Sequence, residues 1–226
     1  MAVFDAPPVP ACGPGGEVIR IVDPLGLQVA WVAPALAGGI VGYYVREVMG
    51  DGWTEVLTCS AGAGREAGTA LLLRDGQSGQ MMPVPATRPS WTFASRDPTQ
   101  VTVSGRVDDH AVSVSLQCAD GELHIEVEPG AGQHRLPDLG LRLVLGSAVG
   151  ELGAETTDSG ELDFHGGVLS HLTLLHSPGL AYRVHPGPGG DHQIDLLPDP
   201  TSSAANPPSP VSITLIPRPS STTPFV

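Results

Sequence analysis

The sequence predicts an all-β protein, an antiparallel sandwich of two sheets. Its 226 residues include 29 Gly and 23 Pro, which interrupt long helices and favour many short strands joined by turns. Hydrophobic residues make up 41% of the chain but aromatic residues only 4%, so the core has to be built from Val, Leu, Ile and Ala. Apolar residues also recur at every second position in several segments, which is the period of a strand with one buried face.

We expect a single β domain over residues 18–217, with an arm at 1–17 and a tail at 218–226 that offer little apolar surface to bury. The domain begins with four β-branched runs separated by turn sequences rich in Gly, Pro and Asp. These runs are 18–22, 27–32, 40–48 and 53–58. They predict a meander of neighbouring strands.

The clearest alternation follows in the middle of the chain. The three apolar-alternating runs are 101–103, 112–118 and 123–127. Asp120 and Gly121 join the last two runs, and this pair is typical of a type I′ hairpin because both residues tolerate positive φ. A further bend is expected at 107–110. Together these signals predict antiparallel strands with one buried face.

Leucine alternates in the same way from Leu139 to Leu145, which predicts a further strand of the same sheet. The weaker strand candidates are 168–175, 180–184, 193–197 and 211–216. Residues 198–210, dense in Pro, Ser and Ala, are expected to form a loop. About a dozen short strands result, a number typical of a sandwich or barrel.

Charge and composition exclude several classes of function. The net charge of −13 opposes binding to nucleic acid or anionic lipid, and no window approaches 18 apolar residues. No secretory signal is visible at the start of the chain, so we expect a cytoplasmic protein. Its three widely spaced cysteines, Cys12, Cys59 and Cys118, predict free thiols. The glycine-rich stretch 62–68 does not have the dinucleotide-binding spacing, and no cofactor is expected.

A family resemblance emerges from three stretches. Gly38-Gly39-Ile40 precedes a strand and a segment ending in Glu55-Val56-Leu57, a proline-rich stretch ends in Arg88, and Trp91 precedes strands ending at Glu128. The chain in these respects resembles the galactose mutarotase-like proteins, the aldose 1-epimerase superfamily. The resemblance implies a supersandwich fold and a carbohydrate ligand, with Arg88 as a ligand contact. Trp91 is a second candidate contact because aromatic faces stack on sugar rings, with core packing as the alternative.

The catalytic positions of that family are not matched. Family enzymes use histidine as acid and a carboxylate as base, and the first histidine belongs to a His-Gly element ahead of the central Trp. Only two residues separate Arg88 from Trp91, so this element is missing, and residues 137–146 lack the second histidine. We therefore expect a carbohydrate-binding or carbohydrate-modifying protein without the conventional epimerase activity.

Candidate acid–base residues occur elsewhere in the chain. Glu161, Asp163 and His165 alternate, so in a strand they would share one face, and a histidine beside a carboxylate is the pairing that acid–base catalysis uses. If the protein is an enzyme, we expect an isomerase of the aldose epimerase type that uses these three residues.

Two alternatives stay open. The first is a noncatalytic sandwich with a structural or protein-interaction role. The second is a histidine-dependent or metal-dependent enzyme that uses residues 161–192, where histidines and aspartates are dense, although His171 and His176 are five apart and fall on opposite faces of a strand. No metal ligand set follows from the spacing.

Overall fold

The computed structural model describes residues 6–9, 17–34, 39–47, 52–58, 70–74, 77–84, 91–107, 110–130, 139–153, 160–186, 192–198 and 211–219. These residues form 17 β-strands, all paired antiparallel, and no helix. None of the described segments is a helix long and apolar enough to cross a membrane. The all-β prediction is confirmed.

The first sheet has nine strands, in the order β1-β2-β3-β4-β11-β16-β15, with β5 also paired to β11 and β6 paired to β5. Its strands are β1 (Ile19–Val22), β2 (Gln28–Val32), β3 (Ile40–Arg46), β4 (Trp53–Leu57), β5 (Ala70–Arg74), β6 (Met81–Pro83), β11 (Leu139–Leu145), β15 (Leu180–Pro186) and β16 (His192–Pro198). The first four strands form the predicted meander.

The second sheet has eight strands, in the order β12-β13-β14-β17-β10-β9-β8-β7. Its strands are β7 (Thr92–Arg96), β8 (Gln100–Val107), β9 (His110–Ala119), β10 (Glu122–Pro129), β12 (Val149–Leu152), β13 (Glu161–Gly167), β14 (Leu169–His176) and β17 (Val211–Pro219). The alternating residues of β8, β9 and β10 bury the predicted apolar face.

One continuous apolar core lies between the sheets. Both sheets contribute alternate residues to it, such as Leu141 and Leu143 from β11 and Leu172 and Leu174 from β14. Because successive side chains of a strand point to opposite sides, the residues between these core positions lie on the outer face of each sheet. The polar sites described below are on those two outer faces.

The β9–β10 hairpin has the predicted turn. Asp120 has a φ of 53° and Gly121 a φ of 81°, the positive values that a type I′ turn requires. Cys118 pairs with Leu123 across this hairpin. Of the predicted bend at 107–110, residues 108 and 109 lie outside the described residues, and Val107 pairs with His110.

Two sequence predictions need correction. The Leu139–Leu145 strand is β11 of the nine-stranded sheet, not a further strand of the sheet that holds β8, β9 and β10, because alternation reports a buried face and not the neighbouring strand. The last strand also extends to Pro219, beyond the predicted strand 211–216, because Arg218 pairs with His171.

Candidate functional site

The outer face of the nine-stranded sheet carries a polar array in three neighbouring strands, β11, β16 and β15. In β16, Ile194 and Leu196 point into the core, so Gln193 and Asp195 point outward. Arg142 of β11 lies between core leucines in the same way and pairs with Asp195 across the strands. We call Arg142, His185, Gln193 and Asp195 the Arg142 array.

The centre of the Arg142 array is a bidentate ion pair. The Arg142 Nε donates to Asp195 Oδ1 at 2.7 Å, and Nη2 donates to Asp195 Oδ2 at 2.9 Å. The two side chains are only 16% and 10% exposed. A planar guanidinium that meets both oxygens of one carboxylate holds that carboxylate in a defined orientation.

Two further groups surround the ion pair. When the Gln193 amide is oriented so that its oxygen faces the guanidinium, this oxygen accepts from Arg142 Nη2 at 3.2 Å and from Nε at 3.0 Å. His185 of β15 places its Nε2 3.6 Å from Asp195 Oδ2, and its side chain is 45% exposed. Arg183 lies opposite Asp195 in the register and is exposed. Donors, acceptors and an imidazole therefore meet on one sheet face.

A second carboxylate lies on the same outer face. The Tyr44 hydroxyl of β3 donates to Glu55 Oε1 of β4 at 2.8 Å. Burial raises the pKa of Tyr44, and the hydrogen bond to Glu55 and its negative charge raise it further. The tyrosine therefore stays protonated as a donor at neutral pH. Val144 of β11, on this face, is 1% exposed.

The structure places Glu161, Asp163 and His165 on β13, with their shared face turned outward, because Leu162 and Phe164 point into the core. This face belongs to the eight-stranded sheet. The predicted acid–base residues are therefore separate from the Arg142 array. Their role in catalysis remains a prediction.

Two of the three predicted residues belong to a hydrogen-bonded chain. Asp163 Oδ1 accepts from Thr173 Oγ1 at 2.8 Å and lies 3.0 Å from His171 Nε2. The Nδ1 of His171 is 2.9 Å from the Nδ1 of His165. We call Asp163, His165, His171 and Thr173 the histidine cluster. Glu161 faces the same side, in register with Leu175.

Of the two predicted ligand contacts, the structure describes only Trp91. Arg88 lies outside the described residues. Trp91 is 7% exposed and belongs to the core. Its ring packs so closely on Gly105 that a Cβ added there would lie 2.2 Å from Trp91 Cδ2. Trp91 therefore packs in the core, and its role as a ligand contact stays a prediction.

The late histidines do not gather at one point. His165, His171 and His176 belong to the eight-stranded sheet, whereas His185 and His192 belong to the other. Among the residues that the structure describes, no group of three or more His, Cys, Asp or Glu side chains is placed to hold a metal ion.

Sequence reasoning missed the Arg142 array. Arg142 interrupts an otherwise apolar strand, and Asp195 interrupts the apolar run from Ile194 to Leu197. A single charge inside a run that is buried on both faces needs a partner, and this was the signal that could have found the pair.

Structural comparison identifies proteins with the same architecture. A protein of Escherichia coli K12 described as a "putative aldose 1-epimerase" superposes with a TM-score of 0.56 at 10% identity, covering 90% of this chain and 99% of that one. The Slr1438 protein of Synechocystis sp. PCC 6803 superposes with a TM-score of 0.60 at 12% identity, covering 96% of this chain and 100% of that one. The chain has the mutarotase-like fold. No protein-family model and no curated protein matches the sequence.

The chemistry of the guanidinium limits what Arg142 can do at the site. The segment 137–146 contains no histidine. Here the described part of that segment, from residue 139 onward, places Arg142 on the outer sheet face, bound to Asp195. A permanently charged guanidinium binds and orients a polar group but does not transfer protons at neutral pH.

Proposed function

We propose that the protein binds a carbohydrate at the Arg142 array, on the outer face of the nine-stranded sheet, without the conventional aldose epimerase chemistry. The observation that supports this most is the bidentate Arg142–Asp195 pair, which is mostly buried and bordered by Gln193 and His185. Vicinal sugar hydroxyls both donate and accept hydrogen bonds, and planar charged or amide groups match them in pairs.

The hydrogen bonds of the Asp195 carboxylate favour sugar binding over epimerisation. Both oxygens of Asp195 already accept from Arg142, so a proton taken from a sugar would have to compete with two charge-assisted hydrogen bonds. His185 is the nearest imidazole, 3.6 Å from the same carboxylate. The arrangement suits a fixed acceptor and donor pair better than a general base.

The test compares the wild type with the charge-free pair R142M/D195L. Calorimetry and saturation-transfer NMR with D-glucose, D-galactose and short oligosaccharides of each measure binding, and polarimetry of freshly dissolved D-glucose measures anomer exchange. We expect binding of at least one of these sugars, at least tenfold weaker in R142M/D195L. We expect no acceleration of anomer exchange.

A matched control is H124A, which changes an outward histidine of the opposite sheet that bonds Thr214. Sugar binding by H124A should equal that of the wild type. Binding that is unchanged in R142M/D195L would move the ligand away from the array. Failure of every sugar to bind would favour the structural role for the ion pair, and catalysed anomer exchange would restore the epimerase alternative.

A further inference from the structure

The histidine cluster lies on the opposite sheet and is not used by the proposed carbohydrate site. His165 of β13 and His171 of β14 are directly opposite each other in the antiparallel register, as are Asp163 and Thr173. We propose that the two imidazoles form a binding site for one divalent transition-metal ion, with Cu²⁺ preferred. The site uses the Nδ1 atoms of both histidines.

The hydrogen bonds of the cluster fix which nitrogen of His171 is a metal ligand. An ionised carboxylate only accepts, and Thr173 already donates its hydroxyl proton to Asp163, so His171 Nε2 carries a proton that faces Asp163 Oδ1 at 3.0 Å and Thr173 Oγ1 at 2.9 Å. The neutral ring then has its lone pair on Nδ1, which faces His165. A ligating histidine that donates its other ring N–H to a carboxylate is the usual outer-shell arrangement of metal sites. Thr173 holds the same carboxylate oxygen at 2.8 Å.

The separation of the two Nδ1 atoms selects a coordination geometry. They are 2.9 Å apart. With metal–imidazole bonds of about 2.0–2.1 Å, two ligands at a right angle are about 2.9 Å apart, whereas tetrahedral ligands are about 3.3–3.4 Å apart. A right angle is the cis arrangement of a tetragonal ion, which is the preference of Cu²⁺ and Ni²⁺ rather than Zn²⁺.

Metal binding at this point needs a tautomer change and a rotation of the rings toward the ion. The proton now shared between the two rings moves from Nδ1 to Nε2 of His165, so both Nδ1 lone pairs face the ion and no net proton is lost. The proposed site has only two protein ligands, so it is compatible with the finding that no group of three or more possible ligands occurs among the described residues. Solvent supplies the remaining positions, because His165 is exposed.

The charges around the pair favour a cation. Glu151 of β12 lies opposite His165, and Glu161 and Asp163 share the outward face of β13. Arg218 of β17, opposite His171, is the one positive side chain that the pairing brings to this point among the described residues. The whole chain carries a net charge of −13. An anionic ligand would meet repulsion here, whereas a divalent cation is attracted.

The experiment is a titration of the full chain with Cu²⁺, followed by calorimetry and by electron paramagnetic resonance. We expect one Cu²⁺ per chain with nitrogen hyperfine structure from two imidazoles, and weaker binding of Ni²⁺ and Zn²⁺. H165A and H171A should each weaken Cu²⁺ binding at least tenfold. D163N should weaken it about 10–100-fold, the range typical of outer-shell partners.

The control is again H124A, an outward histidine of the same sheet, which should bind Cu²⁺ like the wild type. Circular dichroism checks that each variant is folded, and H165Q, which changes only an exposed ring, replaces any variant that is not. Unchanged Cu²⁺ binding in the folded double variant H165A/H171A would overturn the proposal, as would a spectrum with a single coordinating nitrogen. An equal loss in H124A would show a diffuse surface affinity and overturn it as well.

Discussion

The Arg142–Asp195 pair allows a test of whether these two buried charges at the centre of the candidate site depend on each other for neutralisation. The perturbation is a double-mutant cycle of R142M, D195L and R142M/D195L. Both side chains are nearly buried, at 16% and 10% exposure, and they share two hydrogen bonds of 2.7 and 2.9 Å. Each single change therefore leaves one buried charge without its partner.

The magnitudes follow from that burial. Removing one member of a buried pair costs about 3–5 kcal/mol, whereas replacing both by apolar residues of similar volume is often close to neutral. The neighbouring outward residues Leu72 and Val144 are 0% and 1% exposed, so the surroundings accept apolar side chains. We expect each single variant to lose about 3–5 kcal/mol of unfolding free energy and the double variant to lose less than either.

Chemical denaturation in urea measures all four chains, with equal denaturant slopes confirming that the unfolded states are comparable. Additive losses, with the double variant destabilised by the sum of the two single changes, would refute the reasoning. Such a result would mean that Arg142 and Asp195 are compensated by other groups. A stable double variant also makes its loss of sugar binding interpretable, because the fold would be intact.

Three further predictions concern stability. The buried Asp23 carboxylate accepts hydrogen bonds from three backbone N–H groups within 25–28, and an amide at this position would keep one acceptor oxygen. In urea denaturation, D23A should therefore lose about 3 kcal/mol or more of unfolding free energy and D23N about half as much. Equal losses in the two variants would contradict this prediction. G105A should lower the thermal midpoint and change Trp91 fluorescence, because a Cβ there would lie 2.2 Å from the ring, and an unchanged midpoint would contradict the packing. Burial raises the pKa of Cys118 from near 9 to about 12, so the contribution of the buried thiol to the unfolding free energy is present below pH 9 and is lost as pH rises to 12. The stability advantage of the wild type over C118A should therefore shrink by a few kcal/mol between pH 9 and pH 12. A constant difference would contradict this prediction.

The strands could be predicted from the sequence where adjacent residues alone show an alternation or a turn. Strands β8, β9 and β10 could be predicted because period-two alternation and the Asp120-Gly121 turn are properties of adjacent residues. Strand β13 was considered only conditionally, through the alternation of Glu161, Asp163 and His165. Strands β5, β6, β7 and β12 were not predicted. They are three to five residues long, too short to show a period. Strand β5 also depends on pairing with β11, which lies far along the chain.

The same distinction between local sequence patterns and strand pairing applies to the two candidate sites. The shared face of Asp163 and His165 is a property of one strand, and the sequence predicted it. Their contact with His171 depends on the register of the β13–β14 pair, and the alternation of one strand does not determine that register. Arg142 and Asp195 are 53 residues apart, so no local spacing brings them together, and only the pairing of β11 with β16 does.

The proposed carbohydrate and metal sites face opposite sides of the sandwich, and this separation decides how the two proposals relate. Arg142 and Asp195 lie outside one sheet and His165 and His171 outside the other, with the packed core between them. Stacked sheets are about 10 Å apart, so no side chain of one site reaches the other. Coupling would need a packed element with two alternative arrangements that both ligands bias. The core is a single close-packed cluster, which favours one arrangement. Cu²⁺ should therefore leave sugar affinity unchanged, and the failure of either site would leave the other proposal standing.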